Sequence, residues 1–457
     1  MLTMDIPQNR INVQTFIDSH RFTSFQWLIF VLCFIVALLD GFDTAAIGYL
    51  APSLIQQFGA SKPALAPVLS AALFGLACGA LAAGPLADRL GRRRVLIGAT
   101  TLMGVFSLAA AFAGSLDHLV VLRFLTGLGL GAAMPNAATM VSEYCPAKIR
   151  ATLVGAMFCG FPLGSSFGGF LAAWMIPHWG WQSVLVLGGV VPLALAVALV
   201  AALPESVRFM VANQYAPARI AATLGRISRD ALQSTSFFMT ETKATVANRS
   251  GLGVVLSRSY SIGTVMLWLS YFMGLVIFYA LINWMPVLFK ETGMDQKTAT
   301  LIAALFPLGG FGAILCGWLM ARFNGNYLIA LGFLGTAVAV YLIGLVTGQM
   351  GWLILMVFIG GALQNTAQTS LPALAAAFYP TQGRATGVSW MLGIGRFGGI
   401  VGTFWVGELQ RRHVGIADVF ALVAIPGIVA ALALFVKQWA HPEHKDFQPP
   451  AGTAEEH

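Results

Sequence analysis

One feature constrains this chain more than any other. Apolar runs long enough to cross a bilayer follow one another from end to end, near 25–50, 64–87, 94–114, 118–141, 151–175, 181–203, 260–289, 298–320, 327–347, 352–378, 385–408 and 416–437. In hydrocarbon each backbone N–H and C=O needs an internal partner, so runs of this length read as helices. Composition agrees: 58% of residues are hydrophobic, only 10% are charged, and mean hydropathy is +0.78, whereas soluble domains carry about 25% charged residues. The expected fold is an all-α polytopic membrane protein with twelve transmembrane helices.

Residues 204–259 form the only long polar stretch, containing "RISRDALQSTSFFMTETKATVANRS". This divides the chain into an N-terminal segment (1–24), a first six-helix half (25–203), a linker (204–259), a second half (260–437) and a tail (438–457). The first twenty residues lack an apolar core and a small-residue cleavage site, so no signal peptide is expected. Cys33, Cys78, Cys145, Cys159 and Cys316 show no metal-ligand spacing and read as small core residues, with no metal site.

The net charge of +8 has a topological source. With both termini cytoplasmic, nineteen of the 26 Lys and Arg fall on inside segments, and five, Lys62, Lys290, Lys297, Arg411 and Arg412, fall outside. The positive-inside rule then fixes the orientation, and a nucleic-acid partner drops out. Arg411 and Arg412 are a local exception.

The two halves repeat. "PAKIRAT" (146–152) and "PTQGRAT" (380–386) share P-x-x-x-R-A-T at an offset of 234; Gly127 and Gly361 share that offset, and Gly84 and Gly317 differ by 233. Parallel six-helix repeats are a transporter construction in which substrate binds near the midplane between the halves. The charges inside the spans do not repeat. At 233 Asp40 aligns with Met273, and at 234 Arg396 aligns with Pro162 and Arg123 with Val357. Unrepeated intramembrane charges are costly to keep and are candidates for chemistry.

Asp40 and Asp43, in "LLDGFDTAAIGYLAPSL", are three apart and share a helix face. Burial and mutual repulsion favour protonation of at least one, which makes the pair a proton carrier; the alternative is a structural pair bonding hydroxyls or a helix end. Arg396, in "LGIGRFGG", could fork onto a substrate carboxylate, or could snorkel or hold a gate salt bridge. Arg123 could anchor the membrane interface or pair with Asp40 or Asp43. Tyr271 and Tyr279 could stack on an aromatic ring. Gln364 and Gln368 share a face of span ten, beside Asn365, and could bond a phenol or a neighbouring helix.

At the cytoplasmic end of span two stands "GPLADRLGRRR" (84–94). Gly84 permits close helix approach, Asp88 can cap the next helix or pair with an arginine, and Gly91 makes the turn, followed by Arg92 and Arg93. Glu143 and Arg150 flank Pro146 and are expected to form gate ion pairs with the arginine cluster; Arg89 and Arg384 belong to the same gating set. "PESVRF" (204–209) follows span six.

The "GPLADRLGRRR" pattern resembles the loop motif of the major facilitator superfamily. "DGFD" resembles the first-helix signature of its aromatic acid:proton symporter family, and the similarity to bacterial hydroxybenzoate transporters extends through "VLRFLTGLGLGAAMPNAATMVSEY", "WLSYFMGLVIFYALINWMP" and "YPTQGRATGVSWMLGIGRFGGI". It covers nearly the whole chain and is weakest in 213–250 and after 437. The resemblance implies a twelve-helix inner-membrane symporter for hydroxylated benzoates, 4-hydroxybenzoate and protocatechuate among them. The family's first-helix aspartates match Asp40 and Asp43, its loop aspartate Asp88, its buried arginines Arg123 and Arg396, and its fourth-helix glutamate Glu143.

The expected partners are a small aromatic carboxylate, protons and the lipid bilayer, with the chain a monomer and no cofactor beyond a proton gradient. The alternatives are proton-driven efflux or an added chemosensory role. "GFPLGSSFGG" in span five loosely resembles an antiporter motif but lacks its Gly-Pro pair. No Walker loop, metal cluster or nucleophile elbow points to an enzyme.

Overall fold

A computed structural model describes residues 10–233, 236–239, 253, 255–309, 319–320, 322–379 and 381–442. Among the described residues, ten helices are long and apolar enough to cross a membrane: Ser24–Phe58, Lys62–Leu90, Arg92–Ala110, Leu116–Tyr144, Ala147–Trp179, Gln182–Ala202, Ser261–Glu291, Gly325–Leu345, Met350–Phe378 and Ile416–Ala440. The eighth position is taken by Gln296–Leu308, followed by residues outside those described. The eleventh is Thr381–Arg411, of spanning length (31 residues) but more polar. Gly317 and Cys316 lie outside the described residues.

The first span runs to Phe58, eight residues past its expected end, and stops at Gly59 in the left-handed region (φ 59°). Its extension carries Ser53, Gln56 and Gln57, polar residues that hydropathy alone assigns to a loop.

Packing repeats as the sequence does. A methyl group at Gly127 would lie 2.1 Å from the Ala72 carbonyl oxygen, and one at Gly361 would lie 1.9 Å from that of Phe306. Gly164 meets the Leu38 carbonyl in the same way (1.7 Å), and Gly398 meets that of Phe272 (2.3 Å). All four residue pairs are related by 234, as are Pro52 with Pro286 and Pro192 with Pro426. Only glycine allows backbones this close. The packing therefore sets the offset at 234 throughout, and Asp40 corresponds to Gly274 rather than to Met273.

With an even number of spans, the termini and the linker share one end of the bundle, called here the terminal end. At the opposite, far end one hydrophobic cluster runs across both halves, joining Leu54, Leu65 and Trp181 to Phe289, Ile302 and Phe420. At the terminal end each half has its own cluster. Among the described residues, the ion pair and side-chain bond joining the halves at the far end are Lys62–Glu291 (2.6 Å) and Gln296 Nε2 to Ser53 Oγ (2.6 Å). Among the described residues, the halves are thus joined by hydrophobic packing at the far end, while at the terminal end their clusters stay separate.

The linker is more than a tether. Ser206 caps a short helix, Val207–Ala212, and a second helix follows at Pro217–Leu224. Their buried Val207, Met210, Ile220 and Leu224 join Val13, Phe16 and Ile17 of the N-terminal segment in the first half's cluster. Strand Ser236–Phe238 pairs in parallel with Arg10–Asn12. Polar composition concealed this because the apolar residues recur at helical spacing within a charged background.

Candidate substrate and coupling site

Asp40 and Asp43 lie in the middle of the first span, 3% and 1% exposed, but their partners differ. Arg123, fully buried, donates from Nη1 to Asp43 Oδ1 (2.9 Å) and from Nη2 to the Asp43 backbone carbonyl (3.0 Å). Its Nη2 also lies 2.8 Å from Asp43 Oδ2. Ser107 Oγ donates to Asp43 Oδ1 as well (3.0 Å). Arg123 is therefore spent on Asp43 and is no interfacial anchor. Among the described residues, Asp40 receives only a 3.4 Å hydrogen bond from Thr44 Oγ1 and has no ion pair.

Arg396 stands at the middle of Thr381–Arg411, too deep to snorkel. It reaches across to the first half, where Nη1 donates to the Leu76 carbonyl (3.3 Å). Among the described residues it has no ion pair, yet it interacts electrostatically with Asp40, Tyr271 and Tyr279. The glycines around it admit the two tyrosine rings. A methyl at Gly395 would lie 2.2 Å from the Tyr271 ring, and one at Gly399 would lie 2.5 Å from the Tyr279 ring. Phe161 and Phe278 meet across the boundary between the halves, ring centroids 6.1 Å apart.

Gln364 and Gln368 turn their amide nitrogens to the seventh span, donating to the Gly274 carbonyl (2.6 Å) and the Tyr271 carbonyl (3.2 Å). Of the two alternatives for these amides, the neighbouring helix is the partner present. Asn365 likewise bonds the Phe306 carbonyl (3.1 Å).

The gating set forms a network at the terminal end, with several corrections. Gly91 makes its turn at φ 96°. Asp88 pairs with Arg92 (2.9 Å); it does not cap the next helix. That work falls to Glu205 of "PESVRF", whose carboxylate accepts the backbone N–H groups of Arg93 (3.1 Å) and Ser206 (2.9 Å). Glu143 accepts a hydrogen bond from Ser206 Oγ and lies 3.9 Å from Arg92. Arg93 donates to the Val200 carbonyl (2.5 Å). Among the described residues Arg150 has no carboxylate partner and bonds the Cys145 carbonyl (3.3 Å), while Glu143 is turned toward Ser206. Gly84 makes no close approach: among the described residues nothing lies within 4 Å of a methyl placed there. Arg89 and Arg384 are exposed and, among the described residues, without an ion pair. Ser107, Thr44 and Glu205 escaped the sequence reading; of these only Glu205 sat in a recognisable motif.

The chain can be set beside known proteins. It is 47% identical over 428 residues to the 4-hydroxybenzoate transporter PcaK of Pseudomonas putida, covering 93% of this chain and 96% of that one. It is 44% identical to the transporter of the same name from Acinetobacter baylyi, covering 94% and 95%, and 45% identical to a gallate transporter of Pseudomonas putida, covering 93% and 94%. Among solved structures, the xylose transporter XylE of E. coli in a partially occluded inward-open conformation superposes with a TM-score of 0.71 at 18% identity, covering 92% of this chain and 98% of that one. These relatives and this fold are those of transporters, not enzymes. The family model of the Major Facilitator Superfamily matches residues 33–403 and again 267–456, and the chain belongs to that superfamily.

Proposed function

We propose that the protein is a proton-coupled symporter that imports aromatic carboxylates, 4-hydroxybenzoate and related hydroxybenzoates such as protocatechuate, by alternating access. It sits in the bacterial cytoplasmic (inner) membrane with both termini cytoplasmic, so the terminal end faces the cytoplasm. The observation that carries this reading is one carboxylate, Asp40, and one guanidinium, Arg396, each without an ion pair among the described residues, at mid-span on opposite sides of the boundary between the halves. The names of the close relatives support the substrate class.

Charge balance supplies the coupling. A substrate carboxylate forking onto Arg396 leaves two negative charges and one positive in a low-dielectric cavity, and one proton on Asp40 restores neutrality. The benzene ring then lies by Tyr271 and Tyr279. Asp43 is already neutralised by Arg123, so the two aspartates divide the work. Asp40 carries the proton, and Asp43 fixes span one to span four.

Reconstituted Asp40→Asn protein tests this. Counterflow of labelled 4-hydroxybenzoate should persist, because exchange needs no net proton movement, while uptake driven by a pH gradient should vanish. Accumulation at the wild-type level would remove Asp40 from the coupling mechanism.

A further inference from the structure

We propose that a second binding site for aromatic carboxylates lies at the far end of the boundary between the halves, outside the closed gate. It rests on the cargo reading above, though on none of the central residues. A cavity of about 630 Å³ lies there, a size suited to a small ligand. Ser53 and Gln296 both line it and are hydrogen-bonded to each other across the boundary (2.6 Å).

Three parts of the wall match the three parts of a hydroxybenzoate. Ala173, Ile176 and the indole of Trp181 form an apolar side for a ring. Lys297, exposed on the rim, offers an ammonium to a carboxylate. Thr300 is fully buried in the same wall, and its Oγ has no partner among the described residues. That is unusual here, because Thr100, Thr101, Thr126, Thr336 and Thr403 all return their hydroxyls to the carbonyl four residues back, as helical threonines commonly do. The Thr300 hydroxyl is left for a ligand's phenol.

Asp295 shares the rim and opposes an anion. Its carboxylate caps the eighth span by accepting the Thr298 N–H (3.0 Å), and Lys297 is the charge that offsets it. An occupant rests against the Ser53–Gln296 bond, which must break for the far end to open. The site is thus an outer station, loaded before the gate moves.

Equilibrium binding of radiolabelled 4-hydroxybenzoate to the purified full chain in detergent tests this. Wild type should bind two molecules per chain, the outer one more weakly, and Arg396→Ala should retain only the weaker. Lys297→Gln, a surface change that leaves Asp295 unopposed, should weaken the outer component tenfold or more. Thr300→Val and Ala173→Trp should also weaken it, with the Arg396-dependent component unchanged in each. One site per chain in wild type, lost in Arg396→Ala, overturns the outer station and leaves the cargo reading standing. Two sites insensitive to Lys297→Gln and Thr300→Val overturn it as well. No binding to wild type overturns both.

Discussion

The division of labour between the two aspartates has a measurable consequence for stability. Arg123 and Asp43 are 0% and 1% exposed and share contacts of 2.8, 2.9 and 3.0 Å. Removing one partner leaves the other charged and buried, at a cost of roughly 3–5 kcal/mol. Asp43→Asn and Arg123→Gln should each lose about that much. The double variant restores neutrality with two amides and should cost less than the sum, with a coupling energy on the order of 2 kcal/mol. Asp40→Asn breaks only a 3.4 Å bond from Thr44, so its cost should be about 1 kcal/mol or less. Reversible unfolding in mixed dodecyl maltoside and SDS micelles, followed by circular dichroism, gives all four values. The reasoning fails if Asp43→Asn is no more costly than Asp40→Asn, or if the two losses at 43 and 123 simply add.

Three further outcomes follow from the geometry. Arg396→Lys keeps the charge but loses the fork; it should weaken 4-hydroxybenzoate binding, and Arg396→Ala should abolish the tighter component, whereas an unchanged dissociation constant in Arg396→Ala would place the anion elsewhere. Gly164→Ala drives a methyl to 1.7 Å from the Leu38 carbonyl and should prevent recovery of folded protein, while Gly84→Ala meets nothing within 4 Å and should leave unfolding unchanged; equal yields and stabilities would contradict the packing. Lys62→Gln removes a partly exposed inter-half ion pair worth up to about 1 kcal/mol, so a cysteine placed at the far-end boundary should react with a thiol reagent up to about fivefold faster, and a slower reaction would be the wrong sign.

Much of the architecture was legible because the bilayer narrows the choices. Span positions follow from apolar length, and duplication follows from motifs at a fixed offset. Partnerships were less legible. Asp40 and Asp43 look equivalent in "DGFD", three apart on one face, and nothing in that stretch says that Arg123, eighty residues on, reaches only one of them. Ser107 is one serine in an apolar run, indistinguishable from those that bond their own helix. Glu205 was visible in "PESVRF", but its work is to cap a helix that begins at Arg92, and long-range capping leaves no local pattern. Gly84 shows the reverse: its motif points to a packing site, and among the described residues no neighbour lies within 4 Å of a methyl placed there.

The repeat also explains why the charges could not be duplicated. At the offset of 234 the second half has Gly274 where the first has Asp40. A side chain at Gly274 would meet Gln368, whose Oε1 lies 1.9 Å from the first added carbon, and that amide is held by its bond to the Tyr271 carbonyl. Span ten thus occupies the space that a second mid-span carboxylate would need. On the facing span, Gly395 and Gly399 give their space to tyrosine rings, so Arg396 is flanked by phenols, and among the described residues no acid from its own half pairs with it. Each half satisfies its own backbone and leaves one charge of opposite sign at the boundary. Pairing those two charges directly would make a structural salt bridge like Arg123–Asp43. Left without that bridge, the two charges are those that the proposed mechanism assigns to a substrate carboxylate and its accompanying proton.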